Sequence, residues 1–340
     1  MEMFIFRPEE YNRLYNCAAI NVDDVPLEKR QHIPEAIITI FLCLLYYILY
    51  IPCIISIYKH LDLPVYRLIF FISITNCFIL WMLGFLHGIL SLFGAVFCSY
   101  TTLIYICGCV MSGIWITVSL AEVSLTINKC LAILAPNLEK RFFGGWRVSV
   151  WIVASLIYGT SWCLYVKPVL FNGIHFTWFE MFFNPFIGYT EDVTEAYNSV
   201  IHIIWDMSVA VGIPSMYILF VVLFNIKVHA FGSTKSVSHK KKMMFIQVFI
   251  ISMFNFMACS VYVYMMYTIP IEILVHFAQF CWFHIHAFPP VIYLILNKTI
   301  RDDAKRLVYG ILSKYPRCRK VKRIFATSNM LYPVHTVSDS

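Results

Sequence analysis

Apolar residues in this chain run in long blocks, and the charges stand between the blocks. Ala36 to Tyr58 carries no charge and, at ~1.5 Å per residue, is long enough to cross ~30 Å of hydrocarbon. Leu68 to Ala121 has no acid, Lys or Arg. As a single helix it would extend ~80 Å, so it must fold back, and Gly94 to Ser99 is the natural turn. Further blocks follow at Val148–Val166, Tyr197–Ile226, Met243–Ile271 and Ile273–Asn297. The expected spans are about 36–58, 68–93, 100–127, 148–166, 197–226, 243–269 and 273–297. The pattern predicts an all-α membrane protein, a seven-transmembrane helix bundle occupying residues 35–297.

The segments between the blocks read differently. Residues 1–34 are polar, have no apolar signal-peptide core, and form the expected outer amino-terminal segment. Pro168–Ala196 is broken by Asn172-Gly173 and Asn184-Pro185 and reads as a loop. After Lys298 the apolar residues Ile300, Ala304, Leu307, Val308, Ile311 and Leu312 fall on one helical face, with charges opposite. Residues 298–315 are therefore expected to form an amphipathic juxtamembrane helix lying on the inner leaflet, followed by a cytoplasmic tail, 316–340. Cys318 just beyond that helix is a candidate for palmitoylation.

Composition agrees with this reading. Hydrophobic residues make up 60% of the chain and charged ones 13%, proportions foreign to a soluble domain. The net charge of +7 is explained by topology and not by nucleic acid. With the amino terminus outside and the carboxyl terminus cytoplasmic, all but five of the 26 basic residues fall inside. Those five are Arg7, Arg13, Lys29, Arg30 and Lys167. Most of the 12 cysteines read as small buried apolar residues, and none as a metal cluster. Cys17 and Cys98 both lie on the outer side of this topology and are candidates for a disulfide.

Ionisable groups inside spans are costly and so become candidate sites. Glu122 precedes Lys129 by seven residues on one face of span three, where it can tie that helix to a neighbour. Asp206 sits at a depth that suits a ligand's cation or a hydrogen bond between helices. His87, His202, His276, His284 and His286 read as core hydrogen-bonding groups. The aromatics Phe176, Trp178, Phe179, Phe182, Phe183 and Phe186 read as an interfacial belt, with a lid over a pocket as the alternative. No H-E-x-x-H or G-x-S-x-G pattern points to an enzyme, and Ile273–Asn297 has no lysine to bind retinal, so no cofactor is expected.

Span three ends in Asn128-Lys129-Cys130-Leu131-Ala132-Ile133-Leu134-Ala135-Pro136, read as a polar turn facing the cytosol. It resembles the Asp/Glu-Arg-Tyr corner of rhodopsin-like G-protein-coupled receptors, with lysine in place of the forked arginine. Pro289-Pro290-Val291-Ile292-Tyr293 resembles their Asn-Pro-x-x-Tyr, and Asn76 stands where they carry a sodium-binding aspartate. The usual bridge from span three to the second outer loop is missing, because Pro168–Ala196 has no cysteine. With Tyr15-Asn16-Cys17, Leu49-Tyr50-Ile51-Pro52 and Ile127-Asn128-Lys129-Cys130, the chain over roughly residues 11–315 resembles the nematode serpentine chemoreceptors of class T (Srt).

That resemblance implies a chemosensory receptor at the plasma membrane of sensory neurons. A small-molecule ligand would bind among the outer halves of spans three, five, six and seven, and a heterotrimeric G protein would couple at the inner ends. Asn128, Lys129, Cys130, Pro290 and Tyr293 would form the coupling switch, with Lys240–Lys242 nearby. The alternative is a multi-pass transporter or ligand-gated channel, which would need aligned intramembrane charges or paired half-helices.

Overall fold

The computed structural model describes residues 1–18, 20–179, 200–231, 253–264 and 271–314, together with Ile246 and Ile250. The fold is an all-α membrane bundle. Among the described residues five helices are long and apolar enough to cross a membrane, and the bent pair Glu272–Ala287 and Pro289–Leu296 together meets the same length and composition. The described part of span six is Met253–Tyr264. Spans one to five are Ile33–Tyr58, Pro64–Leu92 in three segments, Thr101–Leu134, Arg147–Tyr165 and Val200–Phe231.

Span one shows how such a helix divides its surface. Cys43, Tyr46, Tyr50, Cys53 and Ile57 are buried at alternating spacings of three and four, the seam of a packed bundle. Ile37, Phe41, Leu44, Ile48, Ile51 and Ile55 are exposed on the other side. An outward face of Ile, Leu and Phe would be unfavourable in water and is stable against acyl chains.

Span three is the axis of the bundle. Two thirds of its most apolar window is buried, against about a fifth for spans one, four and five. Its hydroxyls are satisfied within the helix: Ser112, Thr117, Ser119 and Ser124 each donate to the carbonyl four residues earlier at 2.8–3.0 Å. Against span four it packs through small residues. A Cβ added at Gly113 would come within 2.7 Å of the Gly159 carbonyl, so the two backbones approach as closely as glycine allows.

Three local features shape the spans. Span three continues through the supposed turn at Asn128–Cys130 to Leu134, because nothing before Pro136 breaks the helical pattern. Span two contains a wide π turn at Trp81–Leu86 between two α segments. Pro52 lies inside one continuous helix, whereas span seven bends by 51° at Phe288 beside Pro289 and Pro290.

The end of the bundle that holds the amino terminus carries a layered cap. Short helices at Glu2–Phe6, Pro8–Leu14 and Leu27–Arg30 lie over the bundle, and Cys17 is disulfide-bonded to Cys98 just before span three. Arg30 is buried, donating to the Val25 and Gly94 carbonyls and to Asp23. Gly94 turns the chain with φ 58°, a conformation that glycine adopts without strain. The loop after span four is a hairpin, Leu170–Asn172 paired antiparallel with Thr177–Phe179. At the inner end, Lys298–Lys314 docks through buried Ile300 and Ala304.

Candidate functional site

Among the described residues, two places hold several buried polar side chains each: a cavity near the end of the bundle that holds the amino terminus and a cluster near the opposite end.

The cavity has a volume of about 360 Å³ and lies between spans one, two and seven, with the hairpin above it. Of the spans expected to hold a ligand, three, five, six and seven, only span seven lines this cavity. The π turn contributes to this placement: Leu83 lies in it and His87 follows it, and both line the cavity. Phe176 comes from the hairpin turn, held at φ 51° and packed edge-on to the His87 ring at 4.4 Å. That positive φ is unusual for a bulky residue, and it delivers the ring inward. Phe176 and Trp178 are buried against the bundle and do not form an interfacial belt. Phe182, Phe183 and Phe186 lie outside the described residues.

The hairpin is anchored without a disulfide. Gly173 N–H donates to Ala95 O at 2.9 Å, and Asn172 bridges to Val96. Thr177 Oγ1 donates to Gln279 Oε1 of span seven at 3.0 Å. These bonds hold the hairpin to the loop before span three and to span seven.

The cavity wall is apolar with a few unmatched polar atoms. His87 is 1% exposed, and neither of its ring nitrogens has a hydrogen-bond partner among the described residues. Gln279 Nε2 and His276 Nε2, on the same wall, are likewise unmatched. A buried polar atom without a partner costs about 1–3 kcal/mol, which a ligand group of the right chemistry would recover. On the side of spans one and seven, the lining residues Ile38, Phe277 and Phe280 are 57%, 41% and 50% exposed.

The inner cluster joins spans three, six and seven. Asn128 is 2% exposed and donates to Glu139 Oε1 at 3.0 Å, in the helix Pro136–Phe143 that follows span three. Lys129 is also buried and lies in the field of Glu122, two helical turns above. Glu122 in turn is hydrogen-bonded to the Asn255 side chain of span six. Tyr293 is buried in the inner core within the field of the same carboxyl group. Cys130 is half-buried. The Asn128–Lys129 pair is therefore covered in this conformation and does not face the cytosol.

Between the two places lies the bend of span seven. Pro290 has no N–H for the His286 carbonyl, and Tyr50 O–H donates to that carbonyl at 2.6 Å. His286 Nδ1 is hydrogen-bonded to Asn76 Oδ1 at 2.8 Å, and Cys53 Sγ reaches Pro290 O at 3.7 Å. Spans two and seven are thus joined beside the bend by a histidine–asparagine pair.

Asp206 is buried in span five, one turn from His202, whose Nε2 accepts from Trp162 Nε1 at 3.2 Å. Neither lines the cavity. Cys318 and Lys240–Lys242 lie outside the described residues. Sequence reasoning did not find the cavity's own residues, apart from His87, His276, His284 and Phe176. Leu83 and Gln279 look like any other span residue in the sequence.

Among curated proteins, none matches the chain. The family model for the serpentine type 7TM GPCR chemoreceptor Srt matches residues 2–316, nearly the whole length. The seven-span pattern, the altered inner corner and this match lead to one conclusion: the chain belongs to the Srt family of serpentine seven-transmembrane chemoreceptors, a multi-pass membrane receptor family.

Proposed function

We propose that the protein is a chemosensory receptor that binds a small molecule in the outer cavity and signals from its inner end to a heterotrimeric G protein. The observation that carries this is the apolar cavity with His87 buried and unmatched on its wall. At about 360 Å³ it lies within the ~300–1,000 Å³ range of small-molecule sites. It suits a compact, mostly apolar molecule bearing one hydrogen-bonding group. The amino terminus is outside and the carboxyl terminus cytoplasmic, as the distribution of basic residues supports. The family supports a plasma-membrane location in sensory neurons.

Binding acts on a two-state bundle. A ligand touching Leu83, His87 and Phe283 bears on spans two and seven above the bend. The bend leads to Tyr293, and Tyr293 to the cluster of Glu122, Lys129 and Asn255. Shifting span seven would uncover Asn128 and Lys129 to the G protein.

Cells expressing the full chain with a second-messenger reporter, screened against volatile and water-soluble compounds, test both ends at once. For an activating compound, His87→Leu is expected to raise the half-maximal concentration about tenfold, the loss of one hydrogen bond of ~1.4 kcal/mol. Lys129→Ala is expected to lower the maximal response while surface expression holds. An unchanged dose–response curve in His87→Leu defeats the cavity assignment; an unchanged maximum in Lys129→Ala defeats the inner corner.

A further inference from the structure

At the mouth of the cavity, three side chains from distant parts of the chain converge. His32 precedes the first turn of span one, and Glu272 and His276 lie in the first turns of span seven, four residues apart on one helix face. One potential ligand atom from each lies within 4.8 Å of the others. The His32 and His276 rings meet edge-on with centroids 5.5 Å apart.

The surroundings prepare these groups for a cation. His32 Nε2 is 3.1 Å from the Ile174 carbonyl of the hairpin turn, an acceptor only, so this nitrogen carries the proton and Nδ1 keeps its lone pair. Donating one ring N–H to a backbone carbonyl is how ligating histidines are oriented in metal sites. His276 Nε2 is buried without a hydrogen-bond partner among the described residues. Glu272 is exposed and supplies the negative charge. The other titratable groups facing the cluster are His175 from the hairpin turn and Glu35 from span one, both within its electrostatic range.

We propose that His32, Glu272 and His276 form a binding site for a divalent transition-metal ion, zinc being the ion that two imidazoles and one carboxylate suit best. Bonds of about 2.0–2.2 Å in a tetrahedral site set the ligand atoms about 3.3–3.6 Å apart, so side-chain rotation of roughly 1 Å closes the present arrangement. Three protein ligands leave a fourth position open. His276 also belongs to the cavity wall, so the ion stands at its mouth with that position available to water or to a thiol, amine or carboxylate of a molecule inside. Only that last step rests on the ligand reading above; the ion binding itself does not.

The test uses the purified full chain in lipid nanodiscs, without a polyhistidine tag, titrated with zinc against a fluorescent zinc indicator. One equivalent is expected to bind and to raise the thermal transition. Glu272→Gln, at an exposed position that the fold tolerates, is expected to weaken binding by about 10–100-fold or more, and His276→Gln likewise. Both variants are compared with the parent in their zinc-free thermal transitions, so that misfolding is separated from loss of the site. Cobalt should give the intense visible bands of a tetrahedral site in the parent and lose them in Glu272→Gln. Failure of the parent to bind, or undiminished binding in a folded Glu272→Gln, overturns the proposal.

Discussion

Pro289 and Pro290 deprive the His286 carbonyl of its donors at both i+3 and i+4, and Tyr50 supplies the missing proton from span one. Tyr47 makes a superficially similar bond to Cys77 O at 2.5 Å, but that carbonyl already accepts the Trp81 N–H within its own helix. The two hydroxyls should therefore differ in worth. Tyr50→Phe is expected to destabilise the bundle by about 1–2 kcal/mol, the upper part of the range for hydrogen bonds between membrane helices, and Tyr47→Phe by less. Thermal unfolding of the two variants in the same nanodiscs checks the order; equal losses would argue against the proline explanation. Pro290 and Tyr50 were both visible in the sequence as motif residues. Their pairing was not, because a bond between residues 50 and 286 leaves no trace in local spacing. The same holds for His32, Glu272 and His276, which read singly as ordinary polar residues.

At the scale of elements, the juxtamembrane helix was the easiest to read and span three the most misleading. The 3.6-residue periodicity after Lys298 leaves no alternative to an amphipathic helix, and the buried Ile300 and Ala304 lie on the expected face. In span three, the polar triplet Asn128-Lys129-Cys130 suggested a turn, since polar residues usually mark exits from the membrane. Glu139 supplies Asn128 with a partner and Lys129 lies in the field of Glu122, so the helix runs on through both. The π turn in span two leaves no composition signal at all.

The juxtamembrane helix also carries a pH-sensitive attachment. Asp303 Oδ2 accepts from Ser56 Oγ at 2.9 Å and lies 3.0 Å from His60 Nε2. Partial burial works to raise its carboxyl, but the hydrogen bonds from His60 and Ser56, with the charges of His60 and Arg306, outweigh it and hold the group below the usual aspartate value. A lowered carboxyl contributes fully above its unfolded value of about 3.9 and loses that contribution as pH falls through the lower folded value. Hydrogen exchange across residues 298–314, normalised to an unstructured peptide at each pH, should therefore rise below about pH 4. Asp303→Asn should show the raised exchange at neutral pH and little further change on acidification.

Over the whole molecule, the seven-block pattern was legible because hydrocarbon admits few alternatives to helices of this length. What the pattern left open was how the outer segments are tied together, since those contacts link residues far apart in the chain. Cys17–Cys98 closes a long loop, and Arg30 and the hairpin bonds fasten the cap around it. Replacing both cysteines with serine is expected to cost about 2–5 kcal/mol, seen as a lower thermal transition and reduced surface display. A reductant should reproduce the thermal effect in the parent and leave the double variant unchanged.

The exposed wall residues of spans one and seven bear on how a ligand of the proposed cavity would arrive. The hairpin turn covers the cavity through Phe176, while Ile38, Phe277 and Phe280 on its wall are exposed on the outer surface of the bundle. For a ligand of the proposed cavity, the leaflet would then serve as a solvent that concentrates oily molecules beside this face before any of them meets the protein. Potency measured against the aqueous dose would mix two equilibria, partition into lipid and occupancy from it. Two odorants of equal intrinsic affinity would rank by their lipophilicity.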